Sequence, residues 1–209
     1  MRSNNPYHRG AGLYELNLAL PVISTIRRQE AAAVGKLIAR YGDRRHRALE
    51  VGPGTGMYTL ALAQAFGEVV AVEDSATMAG ILGRRLAAAG ATNVTVVNDD
   101  FMRLPVDGAF DVAVAIGVLD YVAEPAAFVA RMCAATREAL IITAPQRGLL
   151  GACFAAAARL RGIRVYRHHR SAPAAWAPGW RCHVAEVGLH TRLTRGLTLV
   201  AALEPRSTS

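Results

Sequence analysis

The sequence has no apolar run long enough to cross a membrane. Its longest candidate, residues 148–158 (GLLGACFAAAA), falls well short of the roughly 20 residues that a membrane-spanning helix requires. The basic start, MRSNNPYHRG, is not followed by an unbroken apolar segment with a small-residue cleavage site, which argues against a secretion signal. We therefore expect a cytoplasmic protein.

Cysteine and lysine are both scarce. Cys133, Cys153 and Cys182 have neither C-x-x-C spacing nor a paired histidine pattern, so we predict buried free thiols and no metal site. Lys36 is the one lysine, so arginine carries nearly all of the net charge of +8. This charge favours phosphate-bearing or acidic partners, although genome base composition alone can also produce a preference for arginine. It does not indicate a fold.

The middle of the chain alternates short apolar runs with helix-like segments. The runs RALEV, EVVAVE, NVTVV, FDVAVAI and ALIIT are continuous rather than alternating, which is typical of parallel strands covered on both faces. Helices are predicted from about Thr55, Ser75 and Glu124. Strands and helices that alternate with short connections predict a doubly wound α/β sheet.

The pattern changes after Pro145. Residues 147–162 predict an alanine-rich helix, residues 167–180 resemble a loop, and the segment from Arg181 predicts two strands joined around residues 191–196. The predicted fold is therefore an α/β, mostly parallel, seven-stranded sheet with a C-terminal antiparallel hairpin and helices on both faces. A chain of 209 residues with about half of them apolar fits a single domain.

Three glycines follow the first predicted strand, in the stretch ALEVGPGTGMYTLALA. In an open α/β sheet the ligand lies beyond the carboxyl ends of the strands, so this loop is the expected site. Gly52, Gly54 and Gly56 would let the loop turn sharply and bring its N–H groups close to a ligand. Thr55 is the predicted N-cap of the next helix.

The glycine spacing excludes two common ligands. A dinucleotide fingerprint, G-x-G-x-x-G, requires a third glycine where Met57 stands. A phosphate loop, G-x-x-x-x-G-K-[ST], requires a lysine that this loop lacks. What remains, LEVGPGTG with Glu50 just before the glycines, resembles motif I of class I S-adenosylmethionine-dependent methyltransferases.

The rest of the predicted sheet is similar to the same family, in the same order, over about residues 47–143. The resemblance implies S-adenosylmethionine as cofactor and S-adenosylhomocysteine as product. In VVAVEDS it places Glu73, with Asp74 adjacent, on the ribose hydroxyls. In NDDFMRLP it places Asp100 on the adenine amine and Phe101 beside the base, with Asp99 as the alternative contact. In FDVAVAIGVLDYV it places Ile116 and Gly117 along the cofactor.

The chemistry of the cofactor agrees with this assignment. A ribose diol requires a carboxylate that accepts two hydrogen bonds, as Glu73 can, and the adenine amine requires an acceptor such as Asp100. The amino group of the cofactor is a cation, which suits Glu50 and backbone carbonyls. Asp111, at the start of the fourth strand, is interpreted as a structural residue rather than a ligand.

The ribosomal-RNA adenine dimethylases are a related alternative, because LEVGPGTG followed by VVAVE is similar to them. They carry an N-[IL]-P-[YF] box after the fourth strand, where this chain has IGVLDYV. A sequence similar to part of this box occurs in NNPY at residues 4–7. No strand pattern precedes it, so we interpret the similarity as coincidence. We therefore expect a small-molecule substrate and no nucleic-acid partner, with peripheral membrane contact left open.

The small-molecule branch also implies an organisation of the single domain, residues 1–209. Residues 1–45 would form N-terminal lid helices, 46–145 the cofactor core, 146–180 a substrate-side insertion and 181–209 the terminal hairpin. The insertion contains RLRGIRVYRHHR, which could clamp an acidic substrate group, rest on a membrane that bears a lipid-like substrate, or simply be a solvated helix end. Lipid and magnesium-protoporphyrin methyltransferases have comparable lengths and pocket plans.

Catalysis requires little beyond alignment, because the sulfonium is already activated and transfer is an in-line displacement. A base is needed only if the acceptor must lose a proton. Asp120 and Tyr121 are the first candidates, because they follow the fourth strand; a structural role for Asp120, as a cap of the next helix, is the alternative. Further candidates are Tyr14, His168 and His169.

The predicted function is methyl transfer from S-adenosylmethionine to a small, largely hydrophobic metabolite. The first alternative is a lipid or tetrapyrrole-like acceptor at a membrane surface. The second is a catalytically silent, cofactor-binding partner subunit. A nicotinamide-dependent oxidoreductase is disfavoured by the glycine spacing and by the lack of a Tyr-x-x-x-Lys pair.

Overall fold

The structure, a computed structural model, describes residues 21–105, 110–160, 162–188 and 196–206. It contains seven strands: β1 Arg47–Val51, β2 Glu68–Val72, β3 Val94–Val97, β4 Phe110–Ala115, β5 Thr136–Pro145, β6 Trp180–Val187 and β7 Thr198–Pro205. The helices of the described residues are α1 Pro21–Tyr41, α2 Thr59–Ala65, α3 Ala76–Ala88, α4 Pro125–Ala135, α5 Leu149–Leu160 and α6 Ala172–Trp176.

All seven strands form one sheet in the order β3-β2-β1-β4-β5-β7-β6. Strands β1 to β5 are parallel to one another, whereas β7 lies antiparallel between β5 and β6. The predicted fold class is therefore confirmed, including the antiparallel hairpin at the end. The strand order reverses next to β1, between β1 and β4, which is the switch point where ligands bind in open α/β sheets.

Continuous apolar strands arise here because both faces of the sheet are covered. In β4, Val112 and Val114 pack with Val34 and Ile38 of α1 and with α2. The intervening Ala113 and Ala115 face the opposite side, where Phe128 and Met132 of α4 pack. Successive strand side chains point to opposite faces, so a strand between two helical layers must be apolar at every position.

Two local expectations are wrong. Helix α2 begins at Thr59, not near Thr55, because turns occupy the residues just before it; Tyr58 rather than Thr55 is the N-cap, without a side-chain cap bond. The cysteines are free, but Cys153 is exposed and Cys133 and Cys182 are only partly buried. The starts expected near Ser75 and Glu124 are observed, since these residues are the N-caps of α3 and α4.

The loop expected over residues 167–180 contains the short helix α6, and the alanine-rich helix predicted over residues 147–162 is α5. Within the part of the chain that the structure describes, no helix is both long and apolar enough to span a bilayer.

Candidate functional site

A cavity of about 550 Å³ opens at the carboxyl ends of β1, β2 and β4. Backbone hydrogen bonds just beyond the strands align the carboxyl ends of β1, β2 and β3. Gly52 N donates to Val72 O (2.9 Å), and Glu73 N donates to Val97 O (2.9 Å). Nine of the ten cofactor residues expected from the sequence line this cavity: Glu50, Gly52, Gly54, Glu73, Asp74, Asp100, Phe101, Ile116 and Gly117.

The three glycines serve different purposes. All have positive φ (67°, 57° and 85°), which side chains rarely adopt. At Gly54 a Cβ would meet open space, whereas at Gly52 it would lie 2.6 Å from Cγ2 of Val118. Gly56 is not among the lining residues; there a Cβ would lie 2.5 Å from Cδ1 of Leu82 in α3. Gly56 therefore permits close packing of the loop against α3.

The carboxylate of Glu73 holds the glycine loop and the start of α3 together. Its Oε2 accepts from Gly54 N (2.9 Å) and its Oε1 from Ser75 N (3.0 Å), and the residue is 4% exposed. Burial raises the pKa of Glu73, and neighbouring Asp74 adds to the rise, while the two backbone bonds oppose it. Each carboxylate oxygen can accept a further hydrogen bond, so the group can receive a diol.

The loop after β3 presents two carboxylates to the same cavity. Asp100 Oδ1 accepts from Met102 N (2.9 Å), and Asp99 Oδ1 accepts from Asp100 N (2.7 Å). Both aspartates line the cavity, so each presents a carboxylate to a ligand there. Phe101 is buried beside them, edge-to-face with Phe128 of α4 at 5.5 Å between ring centroids.

Arg131 of α4 anchors this loop and was not predicted from the sequence. Its Nε donates to Phe101 O (3.0 Å), a second guanidinium nitrogen donates to Leu104 O, and the guanidinium lies 5.5 Å from the Phe101 ring centroid. A lone arginine in an amphipathic helix carries no sequence signal for this role.

Glu50 is a buried carboxylate without a full set of partners. It is 3% exposed, and among the described residues neither its Oε2 nor Thr59 Oγ1 has a hydrogen-bond partner. Burial raises the pKa of Glu50 to about 7, and the charge of Glu73 raises it further. An orphaned buried oxygen that lines a cavity fits a cationic ligand group, such as the ammonium of S-adenosylmethionine.

A side chain of β5 holds the turn after β4 in place. Gly117 has a φ of 73°, and its N–H donates to Oγ1 of the buried Thr143 at 2.8 Å. The same turn carries Asp120 and Tyr121 to the cavity wall, at the end away from β2 and β3. Within the described residues, no three His, Cys, Asp or Glu side chains are grouped so as to hold a metal ion.

Four further residues complete this second end of the cavity: Arg27, Glu30, Tyr58 and Tyr166. Nη1 of Arg27 donates to Oε1 of Glu30 (3.0 Å), and the Tyr58 hydroxyl lies 3.5 Å from the same oxygen. Tyr166 N donates to Asp120 O (2.8 Å), which ties the insertion to the turn after β4. None of these four residues was predicted from the sequence, although one signal was available. Glu30 is 2% exposed and lies in a buried stripe with Ile26, Val34 and Ile38, each four residues apart.

Asp120 is half-buried and belongs to this charged group. Burial raises the pKa of Asp120 to about 7, Arg27 lowers it, and Glu30 raises it. A carboxyl group that titrates near neutral pH is suited to accept a proton.

The two histidine candidates lie elsewhere. His168 packs edge-to-face on Trp176 at 4.8 Å, with its Nε2 3.5 Å from Leu119 O, and it is not among the cavity-lining residues. His169 is exposed and bonds to Ser171 through Nδ1 (2.9 Å). Tyr14 lies outside the described residues.

We expect Glu50→Gln to stabilise the ligand-free protein while weakening cofactor binding. The pKa of the Glu50 carboxyl rises from an ordinary 4.5 to about 7 on folding, so stability is lost as pH rises through that interval. Glutamine does not titrate, so the gain in unfolding free energy should grow from near zero at pH 4.5 towards about 3 kcal/mol above pH 7. Chemical denaturation at pH 5 and pH 8 measures this, with Glu68→Gln, a half-exposed position outside the cavity, as the control. A pH-independent difference would contradict it.

Comparisons with known proteins agree with this geometry. Residues 48–139 match the family described as methyltransferase domain. A magnesium protoporphyrin IX methyltransferase from Synechocystis PCC 6803, solved with bound SAH, has a TM-score of 0.70 at 18% identity, covering 96% of each chain. A DhpI-SAH complex has a TM-score of 0.66 at 21% identity, covering 98% of this chain and 96% of the other. At these identities the likeness shows the shared fold.

A curated relative matches over a shorter region. The ribosomal RNA small subunit methyltransferase A of Desulforapulum autotrophicum is 35% identical over 77 residues, which are 36% of this chain. The match spans 27% of the relative's own length, so most of that protein has no counterpart in the alignment.

Proposed function

We propose that the chain is a class I S-adenosylmethionine-dependent methyltransferase with S-adenosylmethionine as its cofactor. The match of residues 48–139 to a methyltransferase domain and the similarity in fold to methyltransferases solved with SAH or SAM support this proposal. The proposed reaction transfers a methyl group to a small, largely hydrophobic metabolite that bears an acidic or polar group. The observation that carries the proposal is the two-ended cavity described above, with cofactor-type groups at one end and a separate set of side chains at the other.

The cavity has the size of a ligand-binding site. Its volume of about 550 Å³ lies within the range of roughly 300–1,000 Å³ typical of sites for small ligands. Apolar side chains line the same cavity, among them Val118, Val122 and Ala127, together with the polar Tyr121 and Tyr166. Such a lining favours an apolar acceptor that is oriented by a few polar contacts.

Each group of the chain has a distinct task in this proposal. Glu73 binds the ribose diol, Asp100 or Asp99 receives the adenine amine, and Glu50 pairs with the amino group. These contacts hold the donor methyl towards the second end, and the bound cofactor supplies that methyl already activated as a sulfonium. Asp120 accepts the acceptor's proton where one must leave, with Tyr121 beside it. Alignment of the two molecules contributes most of the rate enhancement.

A tetrapyrrole or lipid-like acceptor at a membrane surface is the second candidate. The Synechocystis relative named above is a magnesium protoporphyrin IX methyltransferase and covers nearly all of this chain. A catalytically silent, cofactor-binding partner subunit is the third candidate. The intact cofactor groups favour retained binding in each case.

We expect the purified protein to bind S-adenosylmethionine and S-adenosylhomocysteine with a dissociation constant on the micromolar scale, typical of metabolite recognition. Isothermal titration calorimetry measures the binding, and a thermal shift supports it. The assignment of the site would be overturned if neither ligand gave binding heat or thermal stabilisation while NADH gave a clear response.

The acceptor is tested by transfer from methyl-labelled S-adenosylmethionine. The protein is incubated separately with metabolite, lipid, RNA and protein fractions of a cell extract, and labelled products are identified by mass spectrometry. Label in a hydrophobic metabolite supports the proposal, and label in an anionic lipid or tetrapyrrole supports the second candidate. Label confined to RNA or protein contradicts both, and cofactor binding without transfer to any fraction favours the silent subunit.

A further inference from the structure

A second cavity, of about 570 Å³, adjoins the first. It is lined by Tyr166, which also lines the first cavity, by Val165 and by four arginines, Arg147, Arg159, Arg164 and Arg167. It lies between the end of β5, helix α5 and residues 164–167. This last segment is joined to the end of β5 by a β-bridge between Gln146 and His168. Tyr166 therefore separates a strongly basic cavity from the proposed acceptor end of the site.

The positive charge of this cavity is not neutralised by the described part of the protein. The chain has seven arginines between Glu138 and Glu186, and no aspartate or glutamate in that interval. The ion pairs between described residues include Arg170 with Glu186, but none involves the four arginines of the cavity. Like charges around one concave surface repel unless an anion lies between them.

Two of the arginines are positioned by backbone carbonyls. Arg147 Nε donates to Arg167 O (3.2 Å), and Arg167 Nη1 lies 3.5 Å from Gly148 O. At Gly151 in α5, a Cβ would lie 2.6 Å from Gln146 O and 3.5 Å from Cδ of Arg167, so the glycine lets α5 pack against this arrangement. Arg159 and Arg164 are exposed, and their guanidinium groups complete the cavity from the solvent side.

We propose that the arginine cavity binds an oxyanion, a phosphate or carboxylate group carried by the acceptor. Arginine presents paired N–H donors that match both groups in a bidentate manner. The identity of the molecule as the acceptor rests on the proposed function, whereas anion binding by the cavity does not. The oxyanion would hold one end of the acceptor while its apolar body passes Tyr166 into the first cavity.

The oxyanion can come from a free metabolite or from a lipid headgroup. Leu149 (65% exposed) and Leu160 (91% exposed) stand at the two ends of α5, close in sequence to Arg147 and Arg159. Exposed leucines beside arginines suit the interface of an anionic membrane. The test therefore includes both sources.

In the first arm, the protein is titrated with inorganic phosphate at constant ionic strength, and binding is monitored through the arginine Nε–Hε signals in NMR spectra. Arg159→Gln/Arg164→Gln should weaken phosphate binding about tenfold or more, because two charged donors are lost. Arg84→Gln/Arg206→Gln removes the same charge from exposed positions outside the cavity and should leave the affinity within about twofold of the parent. S-adenosylhomocysteine binding, measured by calorimetry, should be unchanged in both variants.

The second arm measures co-sedimentation with phosphatidylcholine vesicles with and without phosphatidylglycerol. Sedimentation on anionic vesicles that is lost in Arg159→Gln/Arg164→Gln identifies a headgroup as the source; phosphate binding without sedimentation identifies a soluble one. The proposal is overturned if the parent does not bind phosphate, or if the two double variants lose binding equally. Failure of S-adenosylhomocysteine binding alone would instead overturn the proposed function and leave the anion site standing.

Discussion

Asp120→Asn is expected to lower the turnover number for methyl transfer by about a hundredfold or more, the usual contribution of a positioned base. Asp120 lines the cavity next to Tyr121, and burial together with Glu30 raises the pKa of Asp120 to about 7. The parent enzyme should therefore lose activity as pH falls below 7, because the base becomes protonated. Asparagine cannot accept the proton, so this dependence should disappear. The assay is the pH profile of labelled methyl transfer to the acceptor fraction.

Two measurements separate this role from a structural one. Asp43→Asn is the matched control, because Asp43 pairs with exposed Arg45 before β1 and does not line the cavity. Its rate and pH profile should equal those of the parent, and S-adenosylhomocysteine should bind Asp120→Asn with parental affinity. An Asp120→Asn enzyme with a parental rate and an unchanged pH profile would show that Asp120 serves only the turn after β4.

Glu73→Ala is expected to weaken cofactor binding by about a hundredfold or more, because it removes the acceptor of two charge-assisted hydrogen bonds that contribute about 1.5–3 kcal/mol each. The substitution removes the acceptor proposed for the ribose diol. It also removes the bonds from Gly54 N and Ser75 N that hold the glycine loop to the start of α3. Calorimetric titration with S-adenosylhomocysteine measures the loss.

The control for this substitution comes from the same strand. Glu68 begins β2, pairs with Arg47 at the opposite edge of the sheet, and does not line the cavity. Glu68→Ala should bind the cofactor as the parent does. Glu73→Gln keeps the side-chain volume and one acceptor oxygen, so it should fall between Glu73→Ala and the parent. A Glu73→Ala protein with parental affinity would mean that the ribose is held elsewhere, with Asp74 the nearest carboxylate.

The fold was predictable because its signals are local. Each strand of the parallel part is a continuous apolar run, and the helices that cover both faces make that pattern necessary. The glycine loop and the acidic residues were predictable for a related reason. They directly follow β1, β2 and β3, whose carboxyl ends meet at one edge in a parallel sheet. Chain order therefore sufficed to bring Glu50, Glu73 and Asp100 to one cavity.

The second half of the site was decided by tertiary packing. Arg27 and Glu30 reach the cavity because α1 packs on the sheet, and Tyr166 does so because the insertion returns along β5 and bonds to Asp120. These contacts join residues that are more than forty positions apart, as the bond between Tyr166 N and Asp120 O shows, and no local pattern encodes them. The same holds for His168, which packs on Trp176 instead of facing the cavity.

The sequence by itself determined the sheet, the glycine loop and the carboxylates at its edge, because periodicity and strand ends are properties of neighbouring residues. Only the tertiary structure decided the pKa values of the carboxyl groups in the site and which side chains form the rest of the cavity. Burial raises the pKa values of Glu50 and Asp120 to about 7, and burial depends on which distant segments cover a residue. The arginine cavity has the same origin, because it forms where α5 meets the returning insertion.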